Sequence, residues 1–148
     1  MREVVNKPFL KTSEPNLFYL LRNMLIRFLW PTLVWTLFIL ILTLIPGSSL
    51  PSVSFFQIDK LVHIFFFSVL MILSSYSFNR LKGNRHFQLN YLLVAFLYCM
   101  CLGVLIEVLQ LLVPGRDFSL ADIIANMIGA AIGYLIYKVL QEQRWLKR

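Results

Sequence analysis

Residues 89–113 read LNYLLVAFLYCMCLGVLIEVLQLLV, an apolar run whose one charged residue is Glu107. A helix that crosses the hydrocarbon core of a bilayer needs about 20 mostly apolar residues, and this stretch supplies them. Three further stretches do the same. Residues 28–45 (FLWPTLVWTLFILILTLI) hold no charge, and Pro31 falls in the first turn, where its missing N–H does no harm. Residues 58–78 begin polar, as IDKLVH, and continue apolar; residues 119–140 carry Asp122 and Asn126 near their start. The pattern predicts an all-α, four-helix transmembrane bundle. Composition agrees: the 148 residues are 59% hydrophobic and only 14% charged, against about 25% charged in soluble proteins. A soluble domain of this size has too much surface for its volume to hide so many apolar side chains.

The chain therefore divides into an N-terminal segment 1–27, a membrane domain 28–140 and a basic tail 141–148. The first span is expected to be a retained helix and not a cleaved leader, because its apolar run is long and is preceded by an extended segment. Leu17, Phe18, Leu20 and Leu21, with Arg22, suit a short interfacial helix within residues 1–24. No repeat or second domain is evident. The two cysteines, Cys99 and Cys101, point to opposite sides of one helix, so neither a disulfide framework nor a C-x-x-C metal motif is expected.

Charge placement sets the expected topology. Arg2, Lys7, Lys11, Arg22 and Arg27 precede the first span, and no basic residue lies in the first loop, 46–57. Arg80, Lys82 and Arg85 fill the second loop. The third balances Arg116 against Asp117, and Lys138, Arg144, Lys147 and Arg148 end the chain. By the positive-inside rule both termini are cytoplasmic. The net charge of +7 then has anionic lipid as its partner, and nucleic acid is not needed to account for it.

In that orientation every unusual polar residue falls in the outer half of the bundle. Asp59, Lys60 and His63 open the second span, and Asp59 and His63 share a face at i, i+4. Gly103, Glu107 and Gln110 form one stripe on the third span. Asp122, Asn126, Gly129 and Gly133 form another on the fourth, where the Gly-x-x-x-Gly allows close backbone approach. Three helices thus aim acids, amides and a histidine at one place. An ionised side chain within a span costs roughly 2.5–3.5 kcal/mol on insertion scales and points to function.

Most members also have a structural reading. Ser119-Leu120-Ala121-Asp122 has capping-box spacing, Asp59 suits a helix N-terminus, and Lys60 can snorkel. His63 can be a packing histidine, and Gln110 and Asn126 interhelical glue. Glu107 has only an ion-pair network as its structural account, and buried pairs are poor stabilisers.

The elements Asp59-Lys60-Leu61-Val62-His63, Glu107-Val108-Leu109-Gln110, Pro114-Gly115-Arg116 and Asp122-Ile123-Ile124-Ala125-Asn126 with Gly129 and Gly133 together resemble the signature of VanZ-like membrane proteins, over about residues 28–140. The resemblance implies a small multi-pass protein of the cytoplasmic membrane. The family's founding member is tied to low-level resistance to teicoplanin, a lipid-tailed glycopeptide that acts on cell-wall precursors at the outer membrane surface. The resemblance supplies no biochemical activity.

Three functions compete. In the first, Lys60, His63, Glu107, Gln110, Arg116, Asp122 and Asn126 bind the headgroup of a membrane lipid or lipid-linked cell-wall precursor in an outward-facing pocket. Arg and Lys suit a phosphate there. In the second, the protein is an enzyme on such a headgroup, with Glu107, His63, Asp59 and Asp122 as the catalytic set. It would work by acid–base chemistry or through a divalent cation such as Mg2+ or Ca2+. In the third it transports lipid, which would require an oligomer, since four helices enclose little.

Overall fold

In the computed structural model of the chain the described residues are 25–46, 56–82 and 90–146. The interfacial segment expected within 1–24, most of the first loop, Arg85, Lys147 and Arg148 lie outside them. Four helices follow one another: α1 (Trp30–Thr43), entered through one π turn at Leu25–Leu29, α2 (Phe56–Lys82), α3 (Tyr91–Gln110) and α4 (Leu120–Leu146). Taking α1 together with the π turn before it, each supplies a segment long and apolar enough to cross a membrane: Ile26–Thr43, Asp59–Leu81, Tyr91–Gln110 and Leu120–Gln143. All-α, four-span architecture is what the hydropathy pattern predicts.

The local chemistry of the helix ends is readable. Asn90 caps α3, its side chain accepting from the Leu92 N–H at 3.1 Å, as N-cap amides do. The third span ends earlier than the apolar run, at Gln110 rather than Val113. The cause is Pro114, whose ring clashes with the carbonyl four residues back. A tight turn follows, with Arg116 N–H on the Val113 carbonyl at 3.2 Å and Gly115 at φ 74°. Proline and then a positive-φ glycine at the two central positions is the type II arrangement.

Helices α1 and α3 run one way, and α2 and α4 the other. The tightest contact is between α2 and α4, which lie parallel. A Cβ built on Gly129 would run into the Ile64 carbonyl, and one on Gly133 into the Ser68 carbonyl. Ser68 Oγ crosses the seam to the Gly129 carbonyl at 2.9 Å. Helix α3 covers this pair, packing Ala95, Cys99, Leu102 and Ile106 on Phe67, Leu70, Met71 and Ala130. Helix α1 is fastened at the edge by Thr32–Ser77 (2.8 Å), Thr36–Tyr98 (2.6 Å) and Trp35 Nε1 to the Phe66 carbonyl (3.0 Å). The outward faces are apolar: Leu33, Leu37, Ile41, Phe65, Leu97, Leu135 and Ile136 are all exposed, a surface suited to lipid chains.

Candidate functional site

One end of the bundle gathers the C-terminal ends of α1 and α3 and the N-terminal ends of α2 and α4. Two helix N-termini favour carboxylates through their partial positive charge, and each carries one in its first turn: Asp59 on α2 and Asp122 on α4. A third carboxylate, Glu107, comes from the last turn of α3 and is fully buried.

Glu107 lies one turn inside the end of α3, about 4.5 Å along its axis at 1.5 Å per residue, so depth in the span is not what hides it. The connecting turn folds back over it, and the Ser119 N–H donates to its Oε2 at 3.1 Å. This contact alters the expected cap of α4. Ser119 Oγ accepts from the Asp122 N–H at 3.3 Å, which is one half of a capping box. The other half would return the Asp122 carboxylate to the Ser119 N–H, but Glu107 has taken that donor. Asp122 is released from capping, and its Oδ1 is buried with no partner.

His63 stands between these acids and is 5% exposed. Its Nδ1 meets Asn126 Oδ1 at 3.0 Å, so the ring nitrogen is the donor and the amide oxygen the acceptor. That contact fixes the ring and leaves Nε2 turned toward Asp59. Nε2 lies 3.9 Å from Asp59 Oδ1, too far for a hydrogen bond. Asp59, His63 and Asp122 can each bring one ligand atom within 4.8 Å of the others. The Asp59 side chain is 43% exposed and is where the cluster reaches the surface. Glu107 feels Asp122, His63 and Asp59 electrostatically. Asn126 is wedged against α3, since a Cβ on Gly103 would fall 3.2 Å from its Nδ2.

Among the described residues four buried side-chain atoms lack a partner: Ser75 Oγ, Glu107 Oε1, Asp122 Oδ1 and Asn126 Nδ2. Three of the four are at this end. A buried polar group without a partner costs about 1–3 kcal/mol, so three such atoms at one end mark a place suited to holding a polar ligand.

Of the residues singled out from sequence, the fold brings Asp59, His63, Glu107, Asp122 and Asn126 together. Lys60 is half-buried beside Asp59 on α2. Gln110 and Arg116 face α1 instead: Gln110 Nε2 donates to the Thr43 carbonyl at 3.1 Å and Arg116 Nε to the Ile45 carbonyl at 3.3 Å. They satisfy carbonyls that the end of α1 leaves open. A separate apolar groove of about 450 Å3 runs between α3 and α4 in the opposite half, lined by Asn90, Leu93, Phe96, Tyr134 and Leu135 among others.

Sequence reasoning missed the part played by the Ser119 backbone, which no side-chain motif advertises. It also missed a polar group at the far end, where Asn79 Nδ2 donates to Tyr137 OH, Gln141 Nε2 donates to the same oxygen, and Tyr91 OH donates to Gln141 Oε1. Its faint signal is the i, i+4 pair Tyr137 and Gln141.

A family model described as VanZ/LLP1 matches residues 3–141. No curated protein and no solved structure matches the chain.

Proposed function

The chain belongs to the VanZ/LLP1 family, and from that premise we propose that its polar end binds the headgroup of a membrane lipid or lipid-linked cell-wall precursor. The protein sits in the cytoplasmic membrane with both termini inside, following the distribution of Lys and Arg. The polar end then faces out, where such precursors and the glycopeptide teicoplanin meet, and a contribution to glycopeptide resistance follows from that position. One observation carries the reading. Three buried polar atoms on α3 and α4 are unpartnered beside a histidine already oriented by Asn126, and the half-exposed Asp59 gives access from the surface. Glu107 and Asp122 accept from sugar hydroxyls or an amine, and Lys60, next to Asp59 on α2, adds a positive charge.

A second reading is favoured by the imidazole. His63, held through Nδ1 with Nε2 turned toward carboxylates, has the set-up of a general base, which suits an enzyme acting on the same headgroup. One experiment separates the two. Purified protein is incubated with envelope lipids containing cell-wall precursors, and bound and free lipids are identified by mass spectrometry for wild type and Glu107→Gln. A lipid retained unchanged by wild type and lost from the variant supports binding. New products formed by wild type alone establish an enzyme. If wild type retains no lipid above a detergent blank and makes no product, both readings fall.

A further inference from the structure

Three groups at the polar end confront one another as acceptors. As carboxylates Asp59 and Asp122 offer lone pairs to a ligand, and Nε2 of His63, whose Nδ1 is committed to Asn126 Oδ1 at 3.0 Å, offers another. Their ligand atoms come within 4.8 Å of one another with no donor between Nε2 and Asp59 Oδ1, which stand 3.9 Å apart. Asp122 Oδ1 is buried and unpartnered, because the cap that should use it belongs to Glu107. Two carboxylates and an imidazole nitrogen this close together make a ligand set for a cation.

We propose that Asp59, His63 and Asp122 hold one divalent transition-metal ion, of the Zn2+ or Mn2+ kind, and that an anionic oxygen of the headgroup binds to that ion. The donor set chooses the class. Mg2+ and Ca2+ take oxygen ligands almost exclusively, whereas an imidazole nitrogen beside carboxylates suits zinc and its neighbours. Three protein ligands leave a coordination position open, as ligand-binding zinc sites do. A dication offsets the charge of two carboxylates brought together at one end of the bundle. The Nδ1–H to Asn126 contact is the outer-sphere hydrogen bond that metal-bound histidines make, and Gly103 leaves the room Asn126 needs. Asp59, the exposed ligand, gives the ion its way in. Glu107 Oε1, buried and unpartnered, is left to accept from whatever occupies the open position.

The inference rests on the headgroup reading for its ligand, though not for its ion, and the test keeps them apart. Full-length protein in detergent is stripped with a chelator and titrated calorimetrically with ZnCl2, then with MgCl2. Wild type is expected to take up about one Zn2+ per chain and to bind it more tightly than Mg2+. Asn126→Ala should weaken Zn2+ roughly 10- to 100-fold, as loss of an outer-sphere partner does, and Asp122→Asn should weaken it more. Mn2+ loaded into wild type should show nitrogen coupling by pulsed electron paramagnetic resonance, absent in His63→Gln. The absence of saturable Zn2+ binding by wild type, a preference for Mg2+, or Mn2+ without nitrogen coupling would overturn the proposal, and none of these depends on a variant folding. Lipid retention is measured before and after chelation. Retention untouched by the chelator, with no Zn2+ bound, leaves headgroup binding standing and removes the ion. Stoichiometric Zn2+ with no retained lipid does the reverse.

Discussion

The two ends of the bundle are built on the same three helices, α2, α3 and α4, and both carry polar side chains, mostly half-buried at the far end and mostly buried at the near one, but they use them differently. At the far end Asn79, Tyr91, Tyr137 and Gln141 close on one another in a chain of hydrogen bonds of 3.0–3.2 Å. At the near end Glu107, Asp122 and Asn126 each leave one buried atom without a partner. A closed network holds helices together and needs nothing else. An open one costs about 1–3 kcal/mol for each unmet group, and that cost is recovered only when a ligand arrives. The contrast separates polar residues that fasten the fold from polar residues that await a partner, although both look alike as intramembrane polar groups.

The largest expected effect concerns what the two ends share. Gly129→Leu drives a side chain into the Ile64 backbone and forces α2 from α4. It should lower unfolding stability in detergent by about 3 kcal/mol or more, at the top of the overpacking range. Wild-type stability in this variant would break the view that one seam positions both ends. Next, Glu107→Gln keeps an acceptor for the Ser119 N–H but turns the carboxyl group into an amide. It should weaken headgroup retention roughly 10-fold, the worth of one lost acceptor, with unfolding stability nearly unchanged; a binding assay beside a melt measures both. Tyr137→Phe should do the opposite. It strands donors on Asn79 and Gln141, lowers stability by about 1–2 kcal/mol, and leaves lipid retention alone. Smallest is Arg116→Ala, which frees the Ile45 carbonyl at the end of α1. A loss of about 0.5–1 kcal/mol without loss of retention would place Arg116 with the fasteners, and a collapse of retention would move it into the site.

Much of this was legible in the chain. The apolar runs mark all four spans to within a few residues, because lipid imposes length and composition directly. The small-residue stripe Gly129 and Gly133 identifies the packed face of α4, and the i, i+4 pair Asp59 and His63 lies on one side of α2 as spacing requires. Partner choice is what the chain conceals. The Ser119–Asp122 spacing announces a capping box, yet half of it is displaced by Glu107, which reaches Ser119 only because Pro114 and Gly115 turn the chain back. Gln110 shares a stripe with Glu107 but ends on the Thr43 carbonyl, a group that carries no sequence signal. Buried serines on α2 were silent for a related reason: Ser68 and Ser74 bond the carbonyls of Ile64 and Leu70, four residues back in their own helix, and so behave as small apolar residues until one, Ser68, also crosses the seam.

The central claim is that the near end is a binding site and the far end a structural network. The most direct test compares the unfolding stability of wild type and Asp122→Asn, each with and without added ligand (envelope lipid together with ZnCl2). The variant should be at least as stable as wild type when no ligand is present, because the carboxylate it replaces has a buried oxygen without a partner, and should gain nothing when ligand is added, whereas wild type gains. A variant that loses several kcal/mol (on the order of the 3–5 kcal/mol seen when one partner of a buried pair is deleted) before any ligand is added would contradict the claim and make the cluster a fastener like its counterpart at the other end.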